Sequence, residues 1–303
     1  MKSKKYLVSG GSGFIGSHIV EKLINQNHKV IVIDNNSNER NPIIFSKAKY
    51  HDFDISHSKN INEIVKLLKG CFGVFHCAAL IDVQESIKEP FKYENNNTMS
   101  TLNLLEATRK AGVKNFVYSS SAAVYGDTIR MPINEDFNIK PISPYGAQKY
   151  YGEVMCKVFS KLHGMNTSCL RYFNVFGERQ KVAGAYATVI GIFKHQISQN
   201  KPLTIRGDGN QRRDFIYVKD IANANIQAMN SKESFIGEIF NIGYGKSYSI
   251  NEIANFFNTE KVFIDGVKEP KESLANIKKS QDILKWNPSI NVEDWIKTQL
   301  TNF

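Results

Sequence analysis

No apolar run among the 303 residues is long enough to cross a bilayer. Met1-Lys2-Ser3-Lys4-Lys5 leads straight into an apolar strand, where a secretory leader would carry its hydrophobic segment. A cytoplasmic chain with no membrane partner is expected. Cysteine is scarce. Cys71, Cys77, Cys156 and Cys169 lack the short paired spacing of a zinc site or disulfide framework, so they read as reduced core residues and no metal is predicted. No stretch rich in proline, glycine or serine divides the chain, and no segment repeats. Acidic residues are in deficit, 29 against 39 Lys and Arg, for a net charge of +10. The lysines are scattered singly, without a basic helix or aromatic-interleaved patch, so nucleic acid is not the expected partner; an anionic small molecule suits the charge equally well. What remains, 42% hydrophobic and 22% charged, is the balance of a soluble globular protein with one large domain or two intimately joined ones.

What is present begins with an ordered motif. Lys5-Tyr6-Leu7-Val8-Ser9 reads as a buried strand, followed at once by Gly10-Gly11-Ser12-Gly13-Phe14-Ile15-Gly16 and an amphipathic helix through Ile19, Val20, Leu23 and Ile24. Gly10 and Gly13 permit a tight turn and let backbone approach a pyrophosphate at the helix N-terminus, with Phe14 and Ile15 in the same turn, while Gly16 lets helix pack on strand. A second strand, Lys29-Val30-Ile31-Val32-Ile33, ends at Asp34, where a carboxylate accepts the hydroxyls of an adenosine ribose and repels a 2′-phosphate. NAD is therefore the expected cofactor. The polar loop after it, Asn35-Asn36-Ser37-Asn38-Glu39-Arg40-Asn41-Pro42, adds Asn35 and Ser37 as cofactor contacts.

His51, Asp52, Asp54 and His57 resemble metal ligands at a glance, but the alternation with Phe53 and Ile55 favours a strand end and its cap. Asp54 and Ile55 are expected to bracket the adenine. Ile61 to Leu68 has helical periodicity, and Phe72 to Ala79 is the next buried strand, with His76 as a packed core histidine and small Ala78 and Ala79 leaving room for pyrophosphate. Tyr93 to Ala111 predicts a long helix ending at Gly112. Asn115 to Tyr118 then enters the hydroxyl cluster Ser119-Ser120-Ser121, and a helix from Tyr145 to about His163 precedes the strand Thr167 to Tyr172. Tyr145 and Lys149 stand four apart on one helix face, where an ammonium favours the phenolate and makes Tyr145 a proton acceptor. Strands alternating with helices imply an α/β fold with a doubly wound parallel sheet of Rossmann type.

Beyond Tyr172 the rhythm loosens. Asn174-Val175-Phe176-Gly177 reads as the start of a loop, Ala185 to Gln199 as a helix, Leu203 to Ile205 and Phe215 to Val218 as short strands, and Lys219 to Met229 and Ile250 to Phe257 as helices. The expected division is a dinucleotide domain over 1–173, with segments near 211–245 returning to it, and a smaller C-terminal α/β substrate domain over 174–303.

These residues together resemble the extended short-chain dehydrogenase/reductase superfamily, and within it the NAD-dependent nucleotide-sugar epimerase/dehydratase family. The likeness spans the chain: Gly10 to Gly16, Asp34, Asp54-Ile55, Ala78-Ala79, Asn97, Ser119 to Gly126, Tyr145 with Lys149, Arg171 to Asn174, and Gly207-Asp208-Gly209 with Arg213-Asp214. The resemblance implies that Ser121 orients a sugar 4-hydroxyl, Tyr145 is the base, and Lys149 holds the nicotinamide ribose and lowers the Tyr145 pKa. It further implies that Asn97 and Tyr172 line the cofactor site, that Asn174 and Arg213 hold a substrate diphosphate, and that the Tyr93 and Tyr145 helices form a homodimer.

Ala122 and Ala123 follow Ser121, where the family's 4,6-dehydratases resemble Thr-Asp-Glu, its decarboxylating members carry Glu and its GDP-fucose enzymes Cys. What survives is oxidation at C4 and its reversal, the chemistry of the UDP-glucose and UDP-N-acetylglucosamine 4-epimerases. The segment Arg171 to Gln180 with Gly184-Ala185-Tyr186-Ala187 is most similar to the N-acetylglucosamine enzymes. Aligned with the late segment, Ser273 replaces a pocket-narrowing Tyr and leaves room for an N-acetyl group; a plain surface role for Ser273 stays open beside this. Two departures stand out. Ser100 replaces a usual glycine, and Lys268-Glu269-Pro270-Lys271-Glu272 replaces an Arg-x-Gly-Asp segment whose Arg grips diphosphate, leaving Lys268 or Lys271 as point charges. A GDP-sugar or heptose epimerase or oxidoreductase is the alternative.

Overall fold

The computed structural model describes residues 2–37, 42–182, 188–266 and 269–300. Seven of its strands run parallel in one sheet: β1 (Lys5–Ser9), β2 (Lys29–Asp34), β3 (Ala48–Asp52), β4 (Gly73–His76), β5 (Asn115–Ser121), β6 (Asn166–Tyr172) and β10 (Ile236–Ile242), in the order β10-β6-β5-β4-β1-β2-β3. Side chains alternate across a strand, and both faces of this sheet are covered. Val30 and Val32 therefore enter one core with Tyr6, Val8 and Phe75, while Ile31 and Ile33 enter the other with Leu7 and Val74. The first core is closed by α1 (Phe14–Asn25) and α7 (Val218–Asn230), the second by α2 (Ile61–Leu68), α4 (Pro90–Lys110) and α5 (Pro144–His163). A short α3 (Val83–Lys88) precedes α4.

A smaller layer is built on β9 (Arg212–Tyr217), which pairs with β11 (Ser247–Ser249), β13 (Glu272–Ser273) and β7 (Asn174–Phe176). Beside it β8 (Leu203–Arg206) pairs with β12 (Lys261–Ile264). The helices α6 (Val189–Ser198), α8 (Ile250–Phe256) and α10 (Val292–Leu300) close a third core around Phe176, Phe193, Phe215 and Trp295, while α9 (Lys278–Leu284) returns to β10. Phe14 and Ile15 of α1 pack against that third core, so the two layers share a seam at the glycine turn.

Several expectations shift. Asn174–Phe176 is a strand, because pairing with β9 imposes an extended backbone that its own residues do not announce. Of the stretch 211–245, α7 and β10 join the large sheet, but β9 belongs to the small one. The helix expected from Ala185 is observed from Val189. Asn38 to Asn41, Gly184 to Ala187 and Lys268 lie outside the described residues. No helix among the described residues is long and apolar enough to cross a membrane. Cys156 and Cys169 are buried and free, and His76 is packed between Ser9 Oγ at 2.7 Å and Thr101 Oγ1 at 3.0 Å.

Candidate active site

A cleft opens at the carboxyl ends of β1, β2 and β4. Gly10, Gly13, Phe14, Ile15, Gly16, Asp34, Asn35, Ser37, Asp54, Ile55, Ala78 and Ala79 all line it. The backbone approach is close. A Cβ on Gly10, at φ +69°, would sit 2.7 Å from the Ala78 nitrogen, and one on Gly16 would sit 2.1 Å from the Gly10 carbonyl. Helix α1 starts at Gly13 with no side-chain cap, leaving its first-turn N–H groups to the cleft. Asp34 accepts the Ser12 N–H at 2.9 Å and the Asn36 N–H at 3.0 Å, and burial raises its pKa despite these bonds. Each carboxylate oxygen keeps a second lone pair. This cradle fits a dinucleotide: backbone donors for the pyrophosphate, small residues where it passes, and a carboxylate at the ribose end.

Four residues expected at the cofactor are not among those lining this cleft: Tyr145, Lys149, Asn97 and Tyr172. Asn97 is buried and holds the Leu80 backbone on both sides, at 2.8 and 3.0 Å, and donates to Gln148 Oε1 at 3.0 Å, fixing the loop that carries Ala78 and Ala79. The Tyr172 hydroxyl meets Ser119 Oγ at 3.1 Å and accepts from Asn225 Nδ2 at 2.8 Å. Asn96, Ser100, Cys77 and Lys181 line the cleft without having been singled out for it. Ser100 had the appearance of a packing change, since only the turn of α4 shows which side it faces.

The reacting cluster is set where α5 begins. Ser143 caps the helix by accepting the Gly146 N–H at 3.1 Å, and Pro144 occupies the first turn. A Cβ on Gly146 would lie 2.6 Å from the Ala123 carbonyl, so the helix start is pressed onto the turn after β5. Tyr145 is thereby brought to Ser121, whose side chain eases the Tyr145 pKa downwards and accepts the Ala123 N–H at 3.1 Å. Lys149 Nζ donates to the Ser119 carbonyl at 2.8 Å and lies 5.8 Å from the centre of the Tyr145 ring. One turn further, Glu153 accepts from Ser120 Oγ at 2.6 Å and from both Nε and Nη2 of Arg171, a buried ion pair that ties α5 to β5 and β6.

Burial governs both titrations. It pushes the Tyr145 phenol up to about 12 against the easing effect of Ser121, and drives Lys149 down to about 8. The expected lowering of the Tyr145 pKa by Lys149 is thus not what the site shows: the ammonium is spent on a carbonyl and desolvation prevails.

Asn174, Arg213 and Ser273, expected to hold substrate, are gathered around β9. Arg213 and Ser273 are register partners, and Asn174 Nδ2 donates to the Asp214 carbonyl at 3.1 Å and to Ser273 Oγ at 3.4 Å. Asn174 lies two residues past Tyr172, itself the register partner of Ser121, which links this group to the reacting cluster. Arg213 Nη2 is 2.6 Å from Glu269 Oε2, so the departing segment answers this arginine with a carboxylate. The neighbouring Asp214 accepts N–H bonds from Tyr244, Gly245 and Ala275 at 2.6, 2.9 and 3.1 Å, and burial raises its pKa to about 6.

Sheet order, glycine turn and acidic strand end define a Rossmann-type dinucleotide-binding protein. Residues 6–243 match the model of the NAD dependent epimerase/dehydratase family, and the chain belongs to that family. It is 34% identical over 317 residues to the UDP-glucose 4-epimerase of Lactobacillus helveticus, covering 97% of this chain and 95% of that protein. Among solved structures it is similar to the UDP-N-acetylglucosamine 4-epimerase of Methanobrevibacter ruminantium M1 in complex with UDP-N-acetylmuramic acid, with a TM-score of 0.89, 37% identity and all of both chains covered. It is also similar to the UDP-glucuronic acid 4-epimerase of Bacillus cereus in complex with UDP-glucuronic acid and NAD, with a TM-score of 0.86, 33% identity and 98% and 99% of the chains covered.

Proposed function

We propose that this protein is an isomerase that inverts C4 of a UDP-hexose, interconverting UDP-N-acetylglucosamine with UDP-N-acetylgalactosamine and UDP-glucose with UDP-galactose. The observation that carries the reading is the half-buried Ser121 beside buried Tyr145 and Lys149, followed by Ala122 and Ala123, which add no further acid or base at those two positions. NAD, held between Gly10 to Gly16, Asp34 and Ala78-Ala79, supplies reversible acceptance of hydride from C4. Ser121 orients the C4 hydroxyl and Tyr145 exchanges its proton. With a pKa near 12 the Tyr145 phenolate is a strong base once formed. Asn174 and Arg213 hold the diphosphate while the 4-keto sugar turns over, and the small Ser273 leaves room for an N-acetyl group. No net oxidation results, so the cofactor stays bound through turnover. A homodimer through α4 and α5 is part of the same reading, supported by Tyr150, Val154, Val158 and Leu162, which recur four apart on α5 and remain exposed.

The test is proton NMR of the anomeric signals after incubating the purified protein separately with UDP-N-acetylglucosamine and UDP-glucose, without added cofactor. The galacto epimer is expected from both, with the ratio of rates measuring how open the pocket is at Ser273. No epimer from either, even with NAD⁺ added, rejects the UDP-hexose reading and points to GDP-sugars or heptoses.

A further inference from the structure

The segment from Gly177 to Val182 leaves β7 in the smaller layer and passes back to α1. Groups remote from the reacting cluster fix its path. Arg179, held at φ +65°, directs its guanidinium onto α1, with Nη2 2.9 Å from Glu21 Oε2 and Nη1 3.5 Å from Ser17 Oγ. The same planar group lies 5.3 Å from the centre of the Phe45 ring, in the loop after β2. That loop is itself tied to the glycine turn, because the Ile43 N–H donates to the Ser12 carbonyl at 3.1 Å. A second link is made by His18 Nε2, 3.0 Å from the Glu178 carbonyl. Two residues beyond Arg179, Lys181 lines the dinucleotide cleft. One guanidinium therefore joins three parts of the cleft rim: the helix, the loop and the strap from the other layer. A left-handed backbone at a non-glycine residue persists where surrounding contacts over-determine it, as they do here.

We propose that Arg179 is a cofactor-retention residue, which clasps the 177–182 strap to Glu21, Ser17 and Phe45 so that NAD leaves only after the clasp has opened. The proposal rests on reading the cleft as the NAD site. Arg179 and Glu21 are partly exposed, so their ion pair alone is weak. Three contacts on one rigid group break together, and the barrier to release carries their sum. The clasp lies outside the Ser121–Tyr145–Lys149 cluster and the Asn174–Arg213–Ser273 group, so it governs residence of the cofactor without touching the sugar.

The experiment loads the purified protein with NAD⁺, removes free cofactor, and follows release after dilution together with the NAD content surviving gel filtration. Arg179→Asn removes the guanidinium while keeping a residue type that tolerates the left-handed backbone; Glu21→Ala removes the anionic anchor from the helix side. Arg179→Asn is expected to release NAD about tenfold faster than the wild type, and Glu21→Ala, which removes only the ion pair, about threefold faster. The KM for UDP-sugar at saturating NAD⁺ should stay within about twofold of wild type, since neither residue touches the β9 group. Release at the wild-type rate in either variant overturns the clasp, as does a UDP-sugar KM that rises in step with NAD release, which would mark general loosening of the smaller layer. A wild-type protein that contains no NAD after loading overturns the cleft reading and the clasp with it, whereas a loaded wild type with unchanged variants overturns the clasp alone.

Discussion

Lys149 shows what a reacting group costs its own fold. It is 4% exposed, and burial brings its pKa from 10.5 to about 8. Because the folded pKa lies below the unfolded one, the unfolded chain binds the proton more tightly, and below pH 8 the native state carries the full penalty, about 3 kcal/mol. That penalty is relieved as pH rises from about 8 towards the unfolded value. Lys149→Met, which keeps the length and drops the charge, is expected to be more stable than wild type at pH 7 by urea denaturation while losing epimerase activity, the difference shrinking by pH 10. A variant no more stable at pH 7 would show that the Ser119 carbonyl bond compensates the burial. Spacing alone makes the Tyr145–Lys149 pair legible, because four residues set one helix face. The sign of the Tyr145 shift was not legible: it depends on how completely neighbouring elements exclude water, and helical periodicity says nothing of that. Asn97 misled for a similar reason, since its residue type announces a polar partner without telling whether that partner is ligand or the Leu80 backbone.

At the scale of elements, the glycine turn is the most constrained piece of the molecule. A methyl on Gly16 would approach the Gly10 carbonyl to 2.1 Å, and that carbonyl belongs to backbone that carries the cleft. Gly16→Ala should therefore cost about 2 kcal/mol or more and empty the protein of NAD, read as a lower thermal midpoint together with lost cofactor absorbance after gel filtration; retention of NAD by this variant would contradict the cradle. This turn was readable because strand, glycines and helix are contiguous in sequence. The strands β7 and β13 were not, being three and two residues long and extended only because each pairs with β9. Non-local pairing leaves a faint mark on so short a segment. Lys181 escaped notice likewise, as a lone lysine on a strap whose course depends on contacts made by Arg179.

Across the whole molecule, the alternation of apolar strands and amphipathic helices announced the doubly wound sheet, and the two cores confirm it residue by residue. The assembly is read from what those cores leave uncovered. Val158 is 37% exposed in the middle of the α5 stripe, and a glutamate there would bury a charge in any dimer formed through that face. Val158→Glu is expected to sediment as a monomer where the wild type sediments as a dimer; a wild type that is already monomeric would remove the dimer from the reading. Finally, Arg213 and Asp214 are consecutive on β9, one pointing to the Glu269 segment and the other anchoring Tyr244, Gly245 and Ala275 from beneath. The main chain after β10 and after β13 is thus hung from a single carboxylate. One buried side chain carrying three main-chain donors is a single point of failure: losing it would free both segments at once.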